Sequence, residues 1–524
     1  MIVSIFNDVI GPVMRGPSSS HCAAALRLGR LARDLMDGQL DDLLVEFDRQ
    51  GSLPTTHESQ GSDMGLCGGL LGWDATDERL PGAPQALRDA GVRVRMEMVD
   101  AGDEHPNTYR LTLQNAHGQH SLIGISTGGG MIEVIAVDGF QVSLFGDYHE
   151  TLLWVDGAGR AVARRLAEWV EAGEVLLHEA AGLQLVEVKA AQFLSEETIA
   201  ALGKVAPIRR VSRLSPVLPV LSHKGMAVPF RTCDEMLRHD AGRNTPLWKL
   251  AVEYESARGH LTEVEILARM LEIVRILRRS IRQGLAGTQY QDRVLGHQCG
   301  KFGDLMPTGR LLNGGALNRI VLYVTALMET KSAMGVIVAA PTAGACAALP
   351  GAVIAVAEEM KLSEEDMAKA LLASGLIGVF IATSSTFAAE VAGCQAECGA
   401  ASGMAAAALA TLGAGSTEQA VAAASMALQN SFGMVCDPVA NRVEVPCLGK
   451  NVMAASNALA CANMALAGYD PVIPLDEVIE AMDKVGRSLP QELRCTALGG
   501  LSVTLTSRAI EARLKQQQQQ STDG

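Results

Sequence analysis

From about Phe230 onward strand signals almost vanish, and two uncharged runs, Gly335 to Ala357 and Ala370 to Ala389, fall inside that stretch. Each is long enough to cross a bilayer. The first contains Pro341 and Pro350, and the second carries Thr383, Ser384, Ser385 and Thr386, so both read better as buried helices of a soluble bundle. Glycine (53 residues), alanine-rich runs and an aromatic content of only 4% point to helices packed closely through small side chains. Val264, Leu267, Leu271, Val274, Leu277 and Ile281 recur at helical spacing and predict one amphipathic helix; "PLDEVIEAMDKVGRSLPQEL" predicts another.

The first part of the chain has a different character. Residues 1 to about 145 mix short β-like runs ("LLVEFD", "VRVRMEMV", "YRLTLQN", "HSLIGIS", "MIEVIAVDGF") with a helix after Ser20, in which Leu26, Leu28, Leu31 and Leu35 share a face. The segments "TLLWVD", "GRAVARRLAEW", "EVLLHEA", "LQLVEVKA", "SEETIAALGKV" and "IRRVSRLS" follow in β–α–β–β–α–β order and resemble a degenerate ACT-type regulatory module. The expected organisation is an α/β domain over 1–145, an ACT-like α+β module over 146–220, a linker over 221–230, a large all-α domain over 231–512 and a disordered polar tail over 513–524.

The net charge of −14, from 58 acidic against 44 basic residues with no basic block, gives no electrostatic support for a nucleic acid or an anionic membrane as partner. A small molecule is the expected partner. The opening "MIVSIFNDVIGPVMRG" has neither the basic start nor the long apolar centre of a signal peptide, so a cytoplasmic protein is expected. In that compartment the eleven cysteines speak for metal binding, catalysis or burial, not for disulfides.

In "MVCDPVANRVEVPCLGKN", Pro438 and Pro446 break any helix and set Cys436 and Cys447 on irregular backbone near helix ends. Cys394 and Cys398 lie one turn apart in "AGCQAECG", on a predicted helix. Spacing alone leaves an iron–sulfur cluster, inert buried thiols and zinc all open, with zinc disfavoured by the lack of a CxxC pair. Core packing is the reading for Cys22, Cys67, Cys233, Cys346 and Cys461.

"GPSSSH" (Gly16 to His21) could be no more than a turn and a helix cap, and "STGGG" (Ser126 to Gly130) no more than a turn. Taken together with "APTAG" (Ala340 to Gly344), the cysteine segments and "GRSLPQELRCTALGG", they resemble the iron-sulfur-dependent L-serine dehydratases of bacteria, in the single-chain form that fuses β and α portions. The resemblance implies a 4Fe-4S cluster on Cys394, Cys436 and Cys447, with Cys398 beside the site. Three soft thiolates suit such a cluster and leave one iron open as a Lewis acid for the departing hydroxide, so oxygen sensitivity is expected. It also implies an active-site His21 and a substrate pocket drawn from Ser18, Ser19, Ser20, Ser62, Asp63, Thr342, Ala343, Gly344 and Asn451.

One position departs from the family's pattern. Gln60 stands where a histidine base is expected, so His57, alone or with His21, takes that role and Gln60 orients the substrate. The implied reaction is β-elimination of water from L-serine to pyruvate and ammonia, in amino-acid catabolism feeding gluconeogenesis, by a homodimer. Two alternatives stay open: the same elimination on threonine, cysteine or another small amino acid, and a non-catalytic cluster- and serine-binding regulatory protein.

Overall fold

The computed structural model describes residues 2–522 except Glu171, Ala172, Ala181, Gln291 and Val443. The backbone separates into Ser18–Met226 on one side and Met1–Pro17 with Ala227–Gly524 on the other.

In the first unit, Leu43, Val45 and Phe47 alternate with partly exposed neighbours along Asp42–Asp48, the two-residue period of a strand covered on one face. That strand lies second in a six-stranded sheet of order Arg93–Val99, Asp42–Asp48, Thr108–Asn115, Gly118–Gly128, Met131–Val137, Phe140–Leu144. The pairing is parallel between the first two and antiparallel thereafter. The helix Ala24–Leu35 buries Leu26, Leu28, Leu31 and Leu35, the face expected from the sequence. Leu28 meets the sheet at Gly124, where a Cβ would lie 2.4 Å from Leu28 Cδ2.

The expected β–α–β–β–α–β order is present as a four-stranded antiparallel sheet, Ile208–Leu214, His149–Val155, Leu183–Ala190, Glu174–Ala180. Leu153, Val155, Val186 and Val188 pack against Val162 and Leu166 of Gly159–Trp169 and Leu202 of Glu196–Leu202. The two sheets belong to one unit: Lys189 of the second donates to the Ser143 carbonyl of the first and pairs with the fully buried Glu187 at 3.2 Å.

Among the described residues, the named strands of the second unit are one short antiparallel pair, Val13–Arg15 with Val336–Val338, and its other named elements are helical. Met1–Pro17 therefore belongs with the helices, where the sequence reading had set it in the α/β domain. The physical reason is burial. Ile5, Phe6 and Val9 are in the core, and the fully buried Glu255 accepts hydrogen bonds from Ser4 Oγ and Ile5 N–H. Gly375 and Gly378 leave room for Ile5 and Val9 on the helix Glu364–Ser384.

The uncharged runs resolve as buried structure. The first is split into Val336–Val338, a loop and the helix Ala348–Glu359. Most of the second lies in Glu364–Ser384, which is long and apolar enough to cross a membrane but is mainly covered by other helices. The helix Glu263–Ala286 starts at a Thr262/Glu265 capping box and buries Ile266, Met270, Ile273, Val274, Leu277 and Ile281. Val264, expected on that face, is 76% exposed because it lies two residues before the buried Ile266, on the opposite side of the helix. Where composition predicts disorder from residue 513, the backbone is a helix, Leu505–Thr522; glutamine is a fair helix former.

The helix pair Ala24–Leu35 and Ser62–Leu70 crosses at backbone contact. A Cβ on Gly65 would lie 2.2 Å from the Cys22 carbonyl oxygen, and one on Gly69 2.2 Å from that of Leu26. Gly65→Ala and Gly69→Ala should each lower stability in urea denaturation by about 1–3 kcal/mol, the usual cost of overpacking. Gly82→Ala, with nothing within 4 Å, should change it little.

Candidate active site

The sequence-predicted residues fall into two sets, one in each unit. In the unit Ser18–Met226, "SSSH" forms a wide π-type turn, Ser19–Ala23, that runs into Ala24–Leu35. Thr56 spends its one hydroxyl proton on the Ser52 carbonyl (2.6 Å), so it must accept from His21 Nε2–H (2.9 Å). His21 Nδ1 is then the acceptor for the Ser18 hydroxyl at 2.8 Å. Burial, with help from the charge of His57, pushes the His21 pKa down to about 4, and the ring is neutral at physiological pH. Ser19 is buried and Ser20 half-buried.

His57 Nδ1 donates to Asp63 Oδ1 at 2.7 Å, leaving the lone pair of the neutral ring on Nε2. That bond, with the charges of Asp63 and Glu58, holds the His57 pKa above 6.5 against the opposing effect of burial. Asp63, expected to bind substrate, is thus the carboxylate that orients a histidine. Ser62, also expected in the pocket, is buried with its hydroxyl on Tyr109 OH at 2.8 Å. Gln60 is half-buried in the turn between His57 and Ser62, its N–H on the Thr56 carbonyl.

In the helical unit the cysteines converge. Cys394, Cys398 and Cys436 lie in one buried cluster lined by Ala345, Ala348, Ala389, Ala401 and Ala454, with Met434 and Cys495 packed against it. The Cys398 thiol is hydrogen-bonded to Cys394 and that of Cys436 to Cys495. These bonds and burial raise both thiols, and burial pushes Cys447 up to about 12. Cys394 is not within a helix as expected: Gly393 at φ 68° breaks the chain after Ala389–Ala392, and the site cysteine sits in that break. Cys436 is on irregular backbone and Cys447 is the first residue of Cys447–Leu466, as the prolines predict.

Asn451 is fully buried. Its Oδ1 accepts from the N–H groups of Ala347 and Ala348, and its Nδ2 donates to the carbonyls of Gly344 and Cys447. It fastens the Ala340–Gly344 loop to the cysteine-bearing helix and has its capacity used within the protein. Thr342 donates to Glu397 Oε1 at 2.6 Å, and Gly344 packs on the same carboxylate, where a Cβ would lie 2.5 Å from Oε1. Glu397 keeps some exposed surface, yet desolvation among its neighbours pushes its pKa up to about 7 despite the Thr342 bond.

Sequence reasoning passed over Cys495, Glu397 and Lys331. The first two stand inside quoted motifs, and Lys331 follows Glu329 in the last turn of the helix Ala316–Ser332, outside every motif. Among the described residues, no three His, Cys, Asp or Glu side chains close in as a single metal ion requires. A four-iron cube, whose thiolates bind separate irons, needs them farther apart than that, and the soft, water-poor donor set fits it chemically.

Comparison with known proteins places the chain. Residues 242–502 match the family model of the serine dehydratase alpha chain. The probable L-serine dehydratase alpha chain of Bacillus subtilis is 36% identical over 54% of this chain and 95% of its own length. The probable beta chain of the same organism is 36% identical over 40% of this chain and 98% of its own length. The L-serine dehydratase of Streptomyces coelicolor is 28% identical over 96% of this chain and 99% of its own. The chain belongs to the L-serine dehydratase family.

The histidines titrate in opposite directions. His21 refuses a proton that the unfolded chain accepts, so stability should fall as pH drops from about 6.5 to about 4, by at most about 3 kcal/mol. His57 contributes stability that is fully present below about 6.5 and lost as pH rises through its raised pKa. Asp63→Asn should move the His57 titration to lower pH, read by NMR of histidine-labelled protein.

Proposed function

We infer that the chain is an L-serine ammonia-lyase, converting L-serine to pyruvate and ammonia. The observation that carries this is the convergence of Cys394, Cys398, Cys436 and Cys495, with Cys447, beside Thr342 and Glu397 in a chain of this family. Cys394, Cys436 and Cys447 are the proposed holders of a 4Fe-4S cluster, which when bound supplies a Lewis acid for the substrate hydroxyl.

The rest of the chemistry falls to side chains. His57, through Nε2, takes the Cα proton; Asp63 raises its basicity and fixes its tautomer. His21 and Ser18 to Ser20 in one unit, and Thr342 to Gly344 in the other, are the proposed substrate-binding residues, and Gln60 contributes hydrogen bonds. Loss of the Cα proton and the β-hydroxide leaves 2-aminoacrylate and water. Aminoacrylate tautomerises to the imine, and water releases pyruvate and ammonium.

The four-stranded β–α–β–β–α–β sheet has the ferredoxin-like topology on which ACT-type modules are built, supporting an effector site there. A cytoplasmic homodimer completes the reading. Gln60 favours a second reading, elimination from another β-substituted amino acid. Relative kcat/KM for L-serine, L-threonine and L-cysteine separates the two.

Anaerobically prepared protein with full iron and sulfide should release pyruvate from L-serine and lose that activity in air. Cys394→Ser, Cys436→Ser and Cys447→Ser should each abolish iron and sulfide content and activity, because a hydroxyl replaces a thiolate poorly at such iron. Cys67→Ser and Cys461→Ser should leave both in place. A Cys436→Ser protein with normal iron would sink the ligand assignment. His57→Gln should slow exchange of the α-proton by about a hundredfold with the cluster spectrum intact; unchanged exchange would move the base to His21.

A further inference from the structure

Lys331 is fully buried, and among the described residues its Nζ has no hydrogen-bond partner and no ion pair. It lies in the last turn of Ala316–Ser332, where a lysine commonly answers the helix dipole by bonding the terminal carbonyls. This one bonds none of them. An isolated buried ammonium is costly, so its presence calls for an anion in direct contact with it, which no described side chain supplies.

The surroundings narrow the choice of anion. Ala316–Ser332 packs on Ala348–Glu359 and Cys447–Leu466 and leads directly into Val336–Val338, the strand that delivers the Ala340–Gly344 loop. The charge of Lys331 is felt by Cys447, by Glu397 and by Cys346. A buried cation and a carboxylate, Glu397, therefore share one neighbourhood with the proposed cluster thiols and the loop. An α-amino acid carries the complementary pair of charges, a carboxylate and an ammonium.

We propose that Lys331 is a substrate-anchoring residue whose ammonium binds the carboxylate of the amino acid, while Glu397 faces its ammonium. The assignment rests on the reading of these thiols and this loop as the amino-acid site. It makes the carboxylate an obligatory recognition element, so amines and amino-acid amides are excluded as ligands.

The test uses cluster-loaded, anaerobic full-length protein and two unreactive probes, L-alanine and L-alaninamide, which differ only at the carboxylate. In titration calorimetry the wild type should prefer L-alanine by about thirtyfold or more, the usual loss when one partner of a buried charge pair is removed. Lys331→Met should bring the two affinities together by weakening L-alanine, with iron and sulfide content unchanged; Lys331→Arg should keep part of the preference. The unliganded Lys331→Met protein should melt no lower than the wild type, since an uncompensated ammonium has gone. Retained preference in Lys331→Met, loss of iron together with both affinities, or a lower melting temperature would each overturn the proposal. Failure of loaded wild type to release pyruvate from L-serine would instead refute the functional reading and leave the comparison of probes standing.

Discussion

Backbone approaching backbone is the constraint on which the structure depends. A Cβ on Gly284 would lie 1.9 Å from the Ala326 carbonyl oxygen, and one on Gly351 3.1 Å from Val324 N. Ala400–Leu412, built largely from alanine, is buried at every residue but Thr411. Helices this close leave space only for small side chains, and cysteine is a small side chain. The thiols therefore occupy an alanine-lined hollow without spreading the helices. An aromatic residue at Ala345, Ala401 or Ala454 would do so.

Tight packing also explains why the site's polar groups are held by single, well-placed residues. Asn451 joins a loop, the start of one helix and the first turn of another with one side chain. Asp437 works similarly, taking Lys450 on one oxygen at 2.7 Å and the Leu501 N–H on the other. Each buried polar atom left without a partner would be expensive in such surroundings. Lys331, whose Nζ has no such partner among the described residues, stands out for that reason.

Much of this was legible in the sequence because its signals are local. Alternation and turns gave the β–α–β–β–α–β order, and Pro438 and Pro446 placed Cys436 and Cys447 on loop and helix start. What escaped depends on distant partners. Met1–Pro17 reads as part of the α/β domain until Glu255 and Gly378 are seen to hold it. "AGCQAECG" reads as continuous helix, but Gly393 lies against the Met434 carbonyl, where a Cβ would be 2.7 Å away, and adopts a positive φ. Cys495 comes beside Cys436 through backbone bonds from Cys495 N–H to the Cys436 carbonyl and from Cys436 N–H to Leu493. No spacing rule links positions so far apart.

The pairing of Val13–Arg15 with Val336–Val338 makes Ser18–Met226 an insertion within the helical unit. On the ribosome this sets an order of events. Synthesis at about 5–20 residues per second separates the two strands by about 16–65 s. The inserted unit can finish folding in that interval, while Ile5, Phe6 and Val9 wait in water for a core not yet made. The chain's first segment is among the last to find its place, and until then it offers an unpaired strand and an apolar patch to chaperones or to aggregation.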